Sequence, residues 1–151
     1  MKLTPLMTMH ADLKDPVSVG NGPHGDRAIY DVTGGYFEGE RLKGILLASG
    51  GDWITMDSEG VGHLDVRATF LTDDGAHIYA QYYGALVFNE KVAAAQETGI
   101  PAEFGDTHFV TQPRFETGDD RYLWLNSVMA IAEGRVMGNA VEYRIFEATA
   151  D

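Results

Sequence analysis

Hydrophobic and polar positions alternate with a period of two along much of this chain, the pattern of strands that bury one face. At the start, Leu3, Pro5, Met7, Met9, Ala11 and Leu13 share one side, and Thr4, Thr8, His10 and Asp12 lie mostly on the other. Residues 20–26, GNGPHGD, are all turn chemistry. A short strand is expected over 27–32, broken by Gly34 and Gly35. An apolar run over 42–48 ends at Ser49-Gly50-Gly51, and a further strand over 53–56 precedes the turn Asp57-Ser58-Glu59-Gly60.

The strongest local prediction is a hairpin over 62–84. With Asp73-Asp74-Gly75 as a three-residue loop and Gly75 in the left-handed conformation, Thr72 pairs with Ala76. Thr69 then faces Tyr79, Arg67 faces Gln81 and Asp65 faces Tyr83, while Leu64, Val66 and Ala68 face Gly84, Tyr82 and Ala80. Turn chemistry and alternation agree on this single register. Residues 90–98 form the only helical stretch, because KVAAAQET favours helix and Gly99-Ile100-Pro101 ends it. Strands are expected over 107–114, 122–132 and 140–146, with turns at Glu133-Gly134 and Gly138-Asn139. About nine strands, one short helix and no βαβ rhythm predict an all-β fold: a single antiparallel barrel spanning 1–151.

Composition narrows the chemistry. The 151 residues include no cysteine, which excludes disulfides, thiolate metal sites and a thiol nucleophile. Eleven Lys and Arg against 23 Asp and Glu give a formal charge of -12, a field that repels nucleic acid and anionic lipid. The start lacks the apolar core of a signal peptide and no run is long enough to span a membrane, so a cytoplasmic location is expected. There is no phosphate-cradling glycine loop, GxSxG elbow or HExxH pair. The five histidines are scattered, with His63 and Asp65 the nearest candidate metal pair, and no metal or cofactor is expected.

Several long motifs occur in order: GGYFEGERLKG, GGDW, LDVRATFLTDDGAHIYAQYYG, PRFETGDDRYLWLN and EYRIFEA. Together they resemble the bacterial domain of unknown function family 3237, also called uncharacterised protein family 0311. The proline usual in the first stretch is Glu40 here. The resemblance covers about Leu3 to Ala148 and implies a lipocalin-like or related small barrel, with a loose association to the metabolism of small aromatic molecules.

Candidate site residues follow from the two sources together. Alternation alone turns Leu64, Val66, Ala68, Phe70, Ile78, Ala80 and Tyr82 inward and leaves the polar face of the hairpin as solvated surface. The resemblance falls on the polar face as well, and on that weight Asp65, Arg67, Tyr79 and Tyr83 are expected to face the barrel interior. Asp52 and Trp53, after two glycines that permit close backbone approach, place a carboxylate and an indole at a strand mouth. Asp52 or Asp65 is then the candidate base and Tyr79 or Tyr83 the candidate acid. Arg67 and Arg114 are candidates for holding an anionic group. Trp53 and Trp124 are candidate walls, and Asn126, expected on the same strand face as Trp124, a polar contact. The expected activity is cofactor-independent acid–base chemistry of the isomerase, lyase or cyclase type on a small aromatic or conjugated metabolite. The alternatives are a non-catalytic small-molecule binding barrel and an interaction module whose aromatic outer face joins copies into a homo-oligomer.

Overall fold

The computed structural model describes residues 1–151. Nine strands follow one another around a single antiparallel sheet: β1 (Lys2–Leu13), β2 (Val17–Gly22), β3 (Gly25–Glu38), β4 (Lys43–Met56), β5 (Val61–Thr72), β6 (His77–Val87), β7 (Phe109–Glu116), β8 (Ala130–Met137) and β9 (Ala140–Thr149). The spatial order is β1-β9-β8-β7-β6-β5-β4-β3-β2, and β1 also pairs with β3. That pairing closes eight strands into a barrel and leaves β2 as an extra strand beside β3. One helix, α1 (Glu90–Thr98), follows β6. No helix is long and apolar enough to cross a membrane.

The hairpin adopts the register its turn chemistry demands. Asp65 pairs with Tyr83, Arg67 with Gln81 and Thr69 with Tyr79. The Thr72 N–H donates to the Ala76 carbonyl at 2.9 Å, the Gly75 N–H to the Thr72 carbonyl at 3.0 Å, and Gly75 has φ +93°. Helix α1 has the predicted bounds, starting at Asn89, whose side chain accepts from the Val92 N–H, and ending at Gly99 in the left-handed conformation.

Other boundaries differ from the sequence reading, each for a local reason. In β1 a bulge between Pro5 and Met7 turns both Leu6 and Met7 inward and leaves Leu3 and Pro5 outside, so the alternation does not run unbroken. Gly34 and Gly35 do not end a strand. They lie within β3, where the ladder to β4 is irregular between Asp31 and Gly35, and a Cβ on Gly35 would come within 2.0 Å of the His10 carbonyl oxygen. Likewise 42–48 and 53–56 are one strand, β4, bulged between Leu46 and Gly50. Glu133-Gly134 is strand rather than turn, with Gly134 pressed against the Phe109 ring. Residues 122–132 are not one strand. Asp120–Ser127 form a short 3-10 segment started by the Asp119 side chain, which accepts from the Arg121 N–H, and β8 begins only at Ala130.

The barrel has two unlike ends. At the end holding the β5–β6 turn, Phe37 stacks on Phe70 with ring centroids 4.8 Å apart, Phe115 meets Phe70 edge-on at 6.1 Å, and Leu125 of the 3-10 segment is fully buried. At the other end α1 lies across the opening, held by a 2.8 Å hydrogen bond from the Gly138 N–H to the Ala95 carbonyl, with Val92 and Ala95 buried. This second end is hollow.

Candidate functional site

The hollow end holds a cavity of about 60 Å³ that opens to solvent at its mouth. Its walls are mostly apolar, among them Val32, Ile54, Leu64, Val66, Leu86 and Phe109. Against them stand one carboxylate and three phenols: Asp52, Tyr30, Tyr82 and Tyr143. Such a wall with a few convergent polar groups is the usual form of a small-molecule site.

Strand pairing explains the convergence. Tyr30 on β3 pairs with Asp52 on β4, Asp52 with Val66 on β5, and Val66 with Tyr82 on β6. Residues paired across an antiparallel sheet point to one face. Tyr30, Asp52 and Tyr82 therefore share one level of the interior with only Val66 interposed. Tyr143 arrives from β9, and its ring meets Tyr82 at 5.4 Å and Phe109 at 5.4 Å, both edge-on. The Gly50-Gly51 pair makes the placement of Asp52 feasible. Gly50 has φ +91°, and a Cβ there would lie 2.1 Å from the Arg67 carbonyl oxygen, so no other residue fits this crossing of β4 over β5 without displacement.

The electrostatics are set by burial. Asp52 Oδ1 accepts the Asp65 backbone N–H at 3.0 Å, and no other protein donor reaches the carboxylate. Loss of solvation, reinforced by the charge of Asp65, raises the Asp52 pKa to about 7, while the Asp65 N–H and the charge of Arg27 pull the other way. Burial also raises Tyr30, Tyr82 and Tyr143, and the charge of Asp52 adds to each. Tyr82 and Tyr143 are 4% and 3% exposed. All three phenols therefore stay protonated and serve as hydrogen-bond donors. The arrangement places a carboxylate raised to about 7 in an apolar cavity with phenols that remain protonated.

Of the expected site residues, Asp52 lies in this cavity. The others do not, and their interior placement is corrected. Leu64 and Val66 are buried, whereas Tyr79 and Tyr83 are 37% and 55% exposed, so the polar face of the hairpin is the outer face of the barrel. Asp65 lies there with Arg67, Nη1 to Oδ1 at 3.7 Å. Burying this charged face was the costlier arrangement, since it would strip Asp65 and Arg67 of hydration and expose the apolar face to water. Trp53, one residue past Asp52, also points outward, with the Arg67 guanidinium 5.8 Å from its ring. Arg114 is exposed on β7 opposite Gln81. Trp124 and Asn126 belong to the 3-10 segment at the packed end. The Arg41 guanidinium covers Trp124 at 3.5 Å, and Asn126 bridges the Thr117 N–H and carbonyl at 2.8 and 2.9 Å. His63 pairs with Asp57 at 2.8 Å rather than with Asp65, and no three His, Asp or Glu side chains converge as metal ligands.

Sequence reasoning missed Tyr30, Tyr82 and Tyr143. Tyr82 carried a signal, a phenol on an inward face otherwise without polar atoms, and so did Asp52, a carboxylate in phase with the buried Ile54.

The family model described as "Protein of unknown function (DUF3237)" matches residues 1–148. The chain belongs to this family. The protein RPA1785 of Rhodopseudomonas palustris, of uncharacterised family 0311, is 32% identical over 120 residues, covering 80% of this chain and 78% of its own. The crystal structure of RPA1785, a conserved protein of unknown function, superposes with a TM-score of 0.87 at 27% identity over 97% of this chain and 96% of that one. A β-barrel-like protein of Acinetobacter baumannii, ABAYE2633, gives a TM-score of 0.82 at 33% identity, with 97% and 94% covered. An enzyme from Penicillium herquei shares the fold at a TM-score of 0.71 and 19% identity, with 97% and 94% covered.

Proposed function

We propose that this family member is a cofactor-independent enzyme acting by general acid–base chemistry on a small aromatic or conjugated molecule bound inside the barrel. The observation that carries this reading is Asp52: a single carboxylate in an apolar cavity, given one backbone donor, raised to about 7, and facing phenols that remain protonated. A base of that strength is half ionised at neutral pH and strong enough to take a proton from a carbon or oxygen acidified by conjugation. Tyr82, backed by Tyr143, would hydrogen-bond the oxygen on which charge develops, and Tyr30 lies across from the base. The same elements serve isomerisation, elimination and cyclisation, in which one proton leaves and another returns. The barrel of the Penicillium herquei enzyme makes the architecture compatible with catalysis.

The test is solvent exchange. The protein is incubated in deuterated buffer with a panel of aryl ketones and conjugated enones, and α-carbon deuteration is followed by NMR. The expected result is catalysed exchange that rises with pH through a midpoint near 7 and is lost in Asp52→Asn. Exchange in Asp52→Asn equal to that of the unmodified protein contradicts the proposal. Saturable binding with no exchange on any member of the panel would favour a binding barrel instead.

A further inference from the structure

We infer that the interior site rejects carboxylates and takes a one-ring molecule bearing both a hydroxyl and a carbonyl group. This rests on the reading of Asp52 as the working carboxylate and adds the chemistry of its ligand.

Charge supports the first half of this selection. None of the eleven Lys and Arg side chains lines the cavity. Arg67 and Arg114 are on the outer face, and Arg27 spends a 2.6 Å hydrogen bond on the Trp53 carbonyl. A carboxylated ligand would sit beside Asp52 in a low-dielectric pocket without a counter-ion, the least favourable arrangement for a buried charge.

The donor and acceptor inventory supports the second half. The site offers phenol O–H donors from Tyr30 and Tyr82, with the Tyr143 hydroxyl set against that of Tyr82. It offers one strong open acceptor, Asp52 Oδ2, because Oδ1 already holds the Asp65 N–H. Gln96 and Asn139 add only uncharged amides among the lining residues. A carboxylate brings acceptors and no donor. A hydroxy-carbonyl compound brings one donor for Asp52 and one acceptor for the phenols, and its ring replaces water against Leu64, Val66, Leu86 and Phe109. The cavity of about 60 Å³ is smaller than one substituted ring, so such a ligand would extend into the open mouth.

Calorimetric titration of the unmodified protein at pH 7.5 with 3-hydroxyacetophenone and 3-hydroxybenzoate compares a neutral and an anionic ligand on one scaffold. The ketone should bind at least about ten-fold more tightly than the benzoate, a difference of about 1.4 kcal/mol. Tyr82→Phe and Asp52→Asn should each weaken the ketone by about ten-fold, and Arg67→Met should leave it unchanged. Equal or tighter binding of the benzoate, or no saturable binding of either ligand up to millimolar concentration, overturns the inference. Selective binding of the ketone without deuterium exchange at its methyl carbon would sink the catalytic reading and leave the inference standing. Exchange on 3-acetylbenzoate as fast as on 3-hydroxyacetophenone would keep the catalytic reading and overturn the inference.

Discussion

The two ends of this barrel are built from the same strands and solve opposite problems. At the packed end Phe37, Phe70, Phe115 and Leu125 fill the interior, and nearby polar groups answer one another: the Tyr122 hydroxyl donates to the Asp74 carboxylate at 2.9 Å, and the Ala76 N–H donates to Thr72 Oγ1 at 2.8 Å. At the hollow end the strands carry Asp52, Tyr30, Tyr82 and Tyr143 into apolar surroundings, and the carboxylate receives a single protein donor. A fold selected only for stability would have filled that space and avoided a lone, largely desolvated carboxylate. The contrast separates residues that hold the barrel from residues held by it, and substitutions at the two ends should therefore move stability and activity in different directions.

The largest expected effect is on activity. Asp52→Asn should slow catalysed exchange by about 10²–10⁴-fold, the usual contribution of a positioned base. A loss of less than about ten-fold, measured by NMR on a protein of native circular dichroism, would remove Asp52 from the mechanism. Next comes the packed end, where Phe70→Ala removes a side chain that is 1% exposed and should cost about 3–5 kcal/mol in urea unfolding. A cost below about 1 kcal/mol would show that this end is not the stabilising one.

Asp52→Asn should then do the reverse at the hollow end. The folded pKa of Asp52, about 7, lies above the ordinary carboxylate value of 3.8. Between those values the native state binds more protons than the unfolded state, so the contribution of Asp52 to stability falls as pH rises from about 4 to 7 and its penalty is fully present above that. Replacing it by a neutral amide should raise stability at pH 8.5 by about 1–3 kcal/mol, less than the full shift implies because the cavity can admit water, and should leave stability near pH 4 little changed. A variant destabilised equally at both pH values would contradict the assignment.

Smaller effects test the frame. Gly75→Val should cost about 1 kcal/mol or more, because a β-branched residue resists the φ of +93° in the hairpin loop. Arg67→Met on the outer face should change stability by under about 1 kcal/mol, since its pairing with Asp65 at 3.7 Å is partly solvated. A larger loss in thermal unfolding would mean that the outer face carries more of the barrel's stability than its exposure indicates.

How much of this was legible in the sequence depended on whether the deciding interaction was local. The 62–84 register and α1 were legible because turn chemistry, capping and alternation act within a few residues. Asp52 was legible as a carboxylate following two glycines. The direction of the hairpin faces was also present in the alternation, and weighting the polar motif positions reversed it. One of those positions, Asp65, does serve the site, but through its backbone N–H rather than an inward side chain. Tyr82 and Tyr143 read as packing, because a phenol on an apolar face acquires its role only from the company that distant strands bring. That company depends on β9 pairing with β1 and β8. The 3-10 segment was misread as strand because Tyr122, Trp124 and Asn126 alternate with Leu123 and Leu125, while Asp119 starts a local turn.

The central claim is that burial holds Asp52 as a base near neutrality. It is tested most directly by ¹³C NMR titration of the Asp52 side-chain carboxyl in the ligand-free protein, assigned by the signal missing from Asp52→Asn. The account predicts a midpoint at about 7, and a midpoint at or below about 4, the value of an ordinary solvated aspartate, would contradict it.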